Sequence, residues 1–152
     1  MVRTNLTRVY GTFVFAAASL LAGPVQSAPV HAVELKVIHA TTAVKAQMDP
    51  KLKSLASQLK KLPFNSYRLK DRTMLRLKDA SKGSVQLPGG EWVEIKALGL
   101  GEDKKRLRLR IEIGKNTFKA TVAIAAGARV VLKGPRFQGG TLVLVLTRAN
   151  MK

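Results

Sequence analysis

The feature that most constrains this chain is a two-residue hydrophobic period that recurs between residues 33 and 147. Its clearest instance is residues 105–113, KRLRLRIEI, where Leu107, Leu109, Ile111 and Ile113 alternate with Arg106, Arg108, Arg110 and Glu112. Successive side chains of a strand point to opposite faces, so this spacing predicts an apolar inward row and a cationic outward row. The same period sets Val33, Leu35 and Val37 against Glu34, Lys36 and Ile38, and Val93, Ile95 and Ala97 against Trp92, Glu94 and Lys96. It puts Phe118, Ala120, Val122 and Ile124 on one face, and shorter runs pair Tyr67 with Leu69, Leu75 with Leu77 and Val85 with Leu87. Turn residues divide the runs: Leu87-Pro88-Gly89-Gly90, residues 100–103, residues 114–116, and Gly134-Pro135, which is read as ending a strand begun at Ala128. Residues 141–147, TLVLVLT, are apolar on both parities. That predicts a central strand covered above and below, because so apolar an edge would invite aggregation.

One segment keeps a different period. Asp49-Pro50 opens it, with Asp suited to cap a helix and Pro to its first turn, and Leu52, Leu55 and Leu59 follow at spacings of three and four. A short helix over residues 50–61 is expected, with Lys51, Lys53, Lys60 and Lys61 on its other face and Pro63 stopping it. The chain has 152 residues, the size of one domain. The expected fold is therefore mainly β (α+β): an antiparallel sandwich or partly open barrel with one short N-terminal amphipathic helix, plugging an end.

Residues 1–12 carry Arg3 and Arg8 and no acid, and residues 13–22, FVFAAASLLA, are uncharged before Gly23-Pro24. This is the order of a secretory signal, and the run falls well short of the roughly 20 apolar residues of a spanning helix. Residues 1–27 are read as a signal peptide and 28–152 as a single basic β-rich domain, exported to the periplasm or the medium. Cleavage is expected after Ser27, with Ala28 the alternative. There is no cysteine, so neither a lipid anchor on a thiol nor a disulfide framework enters, and the domain must hold by packing.

Charge gives the only hint of a partner. The leader holds two of the 27 Lys and Arg and none of the nine acids, leaving +16 on the remainder. Such a domain attracts anionic surfaces over a Debye length of about 8 Å at physiological salt. The basic outward positions singled out as contacts are Arg106, Arg108, Arg110, Lys96 and Arg76, within a wider set that includes Arg68, Lys70, Lys78 and Lys119. The partner expected is an anionic envelope surface or an acidic protein. Nucleic acid is disfavoured, since single-strand platforms stack several aromatics and Trp92 alone shares this parity.

The succession Asp49-Pro50-Lys51-Leu52, Leu62-Pro63-Phe64-Asn65-Ser66-Tyr67-Arg68-Leu69, Leu87-Pro88-Gly89-Gly90, the basic strand at 106–113, and Gly134-Pro135 with Gln138-Gly139-Gly140-Thr141-Leu142 resembles a group of small exported proteins of unknown function from Gram-negative bacteria. These are packing and turn motifs, so the resemblance implies a shared fold and carries over no functional residue.

Catalytic chemistry finds little support. His31 and His39 are the only imidazoles, and neither lines a strand face with Glu34. A cut after Ala28 would expose Pro29-Val30-His31, a set suited to square-planar Cu(II) or Ni(II). The close acid pairs, Glu91 with Glu94 and Glu102 with Asp103, are explained by solubility, and Gly89-Gly90 and Gly139-Gly140 by turns. No catalytic residue, metal or cofactor is assigned. The expectation is a non-enzymatic exported module, binding or scaffolding at the cell envelope. The alternatives are an accessory subunit of an envelope or secretion complex, marked by an apolar patch, and a hydrolase marked by His39 converging with a carboxylate and a Ser or Thr.

Overall fold

The computed structural model describes residue 23 and residues 29–115 and 117–150. The expected leader and its cleavage positions, Gly23 apart, lie outside the described residues. The chain is mainly β. Among the described residues nine strands follow in order: β1 Val30–Thr41, β2 Gln47–Met48, β3 Ser66–Lys78, β4 Lys82–Gln86, β5 Trp92–Leu100, β6 Leu107–Ile113, β7 Phe118–Ile124, β8 Arg129–Phe137 and β9 Gly140–Arg148. They form a five-stranded sheet ordered β2-β3-β1-β9-β8 and a four-stranded sheet ordered β4-β5-β6-β7.

The alternation read from residues 105–113 holds: Leu107, Leu109, Ile111 and Ile113 are buried while Arg108 and Arg110 are exposed. These leucines and isoleucines share one apolar cluster with Val93, Ile95 and Ala97 of their own sheet. Val33, Leu35 and Val37 of β1 and Leu142, Leu144 and Leu146 of β9 enter the same cluster from the other sheet. Apolar burial of this extent is the main force holding the two sheets together.

β9 is the central strand that its doubly apolar sequence implied. It lies between β1 and β8, with Leu142, Leu144 and Leu146 in the shared cluster and Val143 and Val145 in a second one on the outward face. That second cluster is roofed by the helical segment, through Leu52, Leu55 and Leu59, over Ile38, Ala40 and Tyr67. Asp49 caps the segment, its side chain accepting from the Lys51 amide at 2.9 Å, and Pro50 occupies the first turn. Tyr67 fastens it from below, its hydroxyl donating to the Leu59 carbonyl at 2.6 Å, with the Phe64 carbonyl 3.1 Å away. Arg129 of β8 adds a bond to the Ser54 carbonyl at 2.7 Å.

Four expectations need correction. The helix is mid-chain and not N-terminal, because the residues before it, Val30–Thr41, form β1. It runs as a 3-10 helix over Pro50–Leu55 and only then as α1, Ala56–Leu59, and it covers the outward face of the five-stranded sheet instead of plugging an end. The pairing is not wholly antiparallel, since β2 runs parallel to β3 at Gln47 and Met48. Finally, Gly134-Pro135 does not end β8. The strand passes through it with a register shift between Lys133 and Arg136, where a residue without an amide proton is tolerated in a bulge on an edge strand.

Candidate functional site

The four-stranded sheet has one face in the core and one face that no other described residue covers. Its register sets Lys82 of β4 opposite Lys96 of β5, and Lys96 opposite Arg110 of β6, so three cations stand in one row across three strands. Directly opposed side chains on a sheet have Cβ atoms about 4.5–5.5 Å apart, and like charges there repel. The next row holds Glu94 opposite Glu112, with Lys119 facing Glu112 from β7. Lys82 reaches Glu94 at 3.3 Å and Lys119 reaches Glu112 at 3.9 Å. Lys96, Arg108 and Arg110 have no carboxylate within 4.0 Å among the described residues. Lys82, Glu94, Lys96, Arg110 and Glu112 line a shallow depression of about 300 Å³.

Three of the five contacts named from the sequence thus share a face: Lys96, Arg108 and Arg110. The other two do not join them. Arg106 precedes β6, and its Nε donates to Asp103 Oδ2 at 2.8 Å. Asp103 also accepts the Lys105 and Arg106 amides, at 3.0 and 3.1 Å, and these bonds, with the Lys105 amide foremost, lower its carboxyl from 3.8 to about 2. Arg106 is therefore held in a loop. Arg76 lies in β3 opposite Ala32, on the outward side of the other sheet.

Parity arguments fail on β3 for an identifiable reason. Its register with β1 passes from Val37 opposite Asp71 to Ile38 opposite Leu69, which leaves Lys70 as an extra residue in a bulge. Beyond the bulge Leu75 and Leu77 pack on the shared core, whereas before it Tyr67 and Leu69 pack under the helix. Arg68 and Arg76, which share a parity in the sequence, consequently belong to opposite faces. Lys82 is the contact that sequence reading missed. Its one signal was a place just before the Val85 strand, and only the register brings it beside Lys96.

The imidazoles are engaged elsewhere. His31 is buried with Nε2 2.7 Å from Asp79 Oδ1, and His39 Nε2 is 2.9 Å from the Phe137 carbonyl, its ring edge-on to Phe137. The arrangement that would mark a hydrolase needs His39 beside a carboxylate, and here its Nε2 meets a backbone oxygen. Val30 and His31 both belong to the β1–β3 ladder, which a square-planar set on their amides would have to break. Among the described residues no three His, Asp or Glu side chains gather where they could hold a metal ion.

Glu34 is a buried carboxylate on the outward side of the five-stranded sheet. Arg72 holds it through Nε at 2.7 Å and Nη2 at 2.5 Å, and Lys36 through Nζ at 3.1 Å. Burial on its own raises this carboxyl, but the hydrogen bonds and charges of Lys36 and Arg72 outweigh it and leave the group below its ordinary range. Comparison of the chain with protein-family models, curated proteins and solved structures finds no match.

Proposed function

We propose that this chain is an exported, non-enzymatic binding module of the cell envelope: a mainly antiparallel β-sandwich whose uncovered sheet face engages an anionic surface. Lys96, Arg108 and Arg110 are its main contacts, with Lys82 beside them. The leader-like order of residues 1–27 supports export. One observation carries the binding role, the row Lys82–Lys96–Arg110 across three strands. Opposed like charges weaken a sheet, so a row of them with two carboxylates displaced to the next row is best explained by a partner that neutralises it.

The test is binding to vesicles of phosphatidylcholine containing phosphatidylglycerol, at two salt concentrations. The triple variant Lys96→Gln, Arg108→Gln, Arg110→Gln should bind far more weakly, at about 1 kcal/mol for each charge brought near the membrane. A variant with Lys53, Lys60 and Lys61 changed to Gln has the same net charge and an untouched sheet. Equal losses in the two would mean diffuse attraction and no site on the sheet.

A further inference from the structure

A second cationic concavity lies on the other sheet, away from the row described above. We propose that the groove beside the β3 bulge binds a single phosphate-type oxyanion. It has a volume of about 450 Å³ and is lined by Lys36, Lys51, Leu69, Lys70, Asp71 and Arg72. Four consecutive residues, 69–72, contribute to one opening. Leu69 and Arg72 lie on the outward side, opposite Ile38 and Lys36, Asp71 shares the parity of Leu75 and Leu77, and the extra residue at Lys70 interrupts the alternation between them.

The cations come from three separate elements: Lys36 from β1, Lys51 from the helical segment, Lys70 and Arg72 from β3. The nearby acids are already engaged. Asp49 accepts the Lys51 amide and, at 3.2 Å, the Leu69 amide. Asp71 accepts the Arg72 amide at 2.7 Å and the Thr73 hydroxyl at 3.2 Å. Glu34 holds Lys36 and Arg72 in place, and Arg72 uses Nε and Nη2 there, so its Nη1 takes no part in that pair. Lys51 and Lys70 have no carboxylate within 4.0 Å among the described residues.

This is the donor set that suits a tetrahedral oxyanion: two free ammonium groups as point charges, and a guanidinium fixed in orientation by a carboxylate behind it. The positioning of Arg72 and Lys36 by Glu34 lowers the entropy lost when an anion arrives. The phosphate group could be free or could be the ester of a lipid headgroup, and both present the same oxygens.

The experiment titrates the full chain with inorganic phosphate, following backbone amide shifts. Saturable shifts centred on Lys51, Lys70 and Arg72 are expected. The double variant Lys51→Gln, Lys70→Gln should raise the dissociation constant at least tenfold, while Lys96→Gln, Arg110→Gln, with the same net charge, should leave it within twofold. Shifts that do not saturate, equal weakening in both variants, or binding by an adventitious ion only would overturn the site. All four positions are exposed, and unchanged melting temperatures verify that the folds are intact. A second arm adds the phosphatidylglycerol vesicles. Vesicle binding that falls in the groove variant assigns the group to a lipid, and vesicle binding that persists assigns it to free phosphate. The row variant should lose vesicle binding while keeping its affinity for phosphate, and the variant with Lys53, Lys60 and Lys61 changed to Gln is the charge-matched control for the vesicle arm, so the groove and the sheet surface proposed above stand or fall separately.

Discussion

The two sheets contribute to one core and differ on their outward sides. In β9 both parities are apolar, Leu142, Leu144 and Leu146 facing the shared cluster and Val143 and Val145 the helical roof. In β6 one parity is apolar and the other carries Arg108 and Arg110 into water. The same two-residue period therefore reports how many faces of a strand are covered. Under the helical roof the outward residues are apolar, and the buried carboxylate on that side of the sheet, Glu34, is held by Lys36 and Arg72. On the outward side of β5 and β6, Lys96, Arg108 and Arg110 have no carboxylate within 4.0 Å among the described residues, and a binding surface can be built there.

The largest expected effect comes from placing a charge on each outward side in turn. Val145→Lys puts an ammonium under Leu52, Leu55 and Leu59, where Val145 is fully buried. No carboxylate belongs to that cluster, so the loss should exceed about 4 kcal/mol and abolish a cooperative melt. Ala123→Lys, on the exposed side of β7 and opposite Arg108, should cost no more than about 1 kcal/mol, most of it from that like-charge pair. Urea unfolding of both decides the matter. Equal tolerance would mean that the helical segment does not seal the five-stranded sheet.

Leucine truncations sharpen the contrast between a core held from two sides and one held under a short lid. Leu109 and Leu52 are both fully buried. Leu109→Ala leaves its cavity between two sheets that cannot close on it, and should fall in the upper part of the range of about 2–5 kcal/mol for such deletions. Leu52→Ala should lie in the lower part, because a ten-residue segment can settle into the gap. A loss below about 0.5 kcal/mol for Leu109 would show that it does not face inward.

How much of this was legible in the sequence follows from how local each cause is. The inward rows of β5 and β6 and the double burial of β9 are written in consecutive residues, and the Asp49-Pro50 start of the helical segment is equally local. The bulge at Lys70 is not, for nothing in Ser66–Lys78 announces where one residue drops out of register with β1. Without it Arg68 and Arg76 look like neighbours. Nor does a strand's own pattern say which sheet it joins, so Arg76 was grouped with Lys96 although they lie in different sheets. Arg106 misled in another way: its parity was right, but three bonds to Asp103 from the loop before β6 decide where it points.

The smallest expected effect tests that last point. Asp103 is exposed, with its carboxyl at about 2, and the Lys105 amide contributes most to the lowering, ahead of the Arg106 side chain and amide. A carboxylate bound more tightly by protons in the unfolded chain than in the folded one adds stability above its ordinary value of 3.8, and the gain is lost as pH falls from there through about 2. Asp103→Asn should therefore flatten stability against pH in that window, with its loss present at neutral pH and vanishing below about 2, and that loss should be small because exposed pairs contribute little and are screened by salt. Arg106→Gln keeps both amides, so Asp103 should then titrate above about 2 yet still below 3.8, readable from its carboxyl carbon by NMR. On phosphatidylglycerol vesicles the same Arg106→Gln should lose less binding than Arg110→Gln, because one guanidinium is engaged in its loop and the other stands in the unpaired row. If Asp103 titrates at its ordinary value in the parent protein, the loop does not hold Arg106, and that residue rejoins Lys96, Arg108 and Arg110 as a contact of the bare sheet.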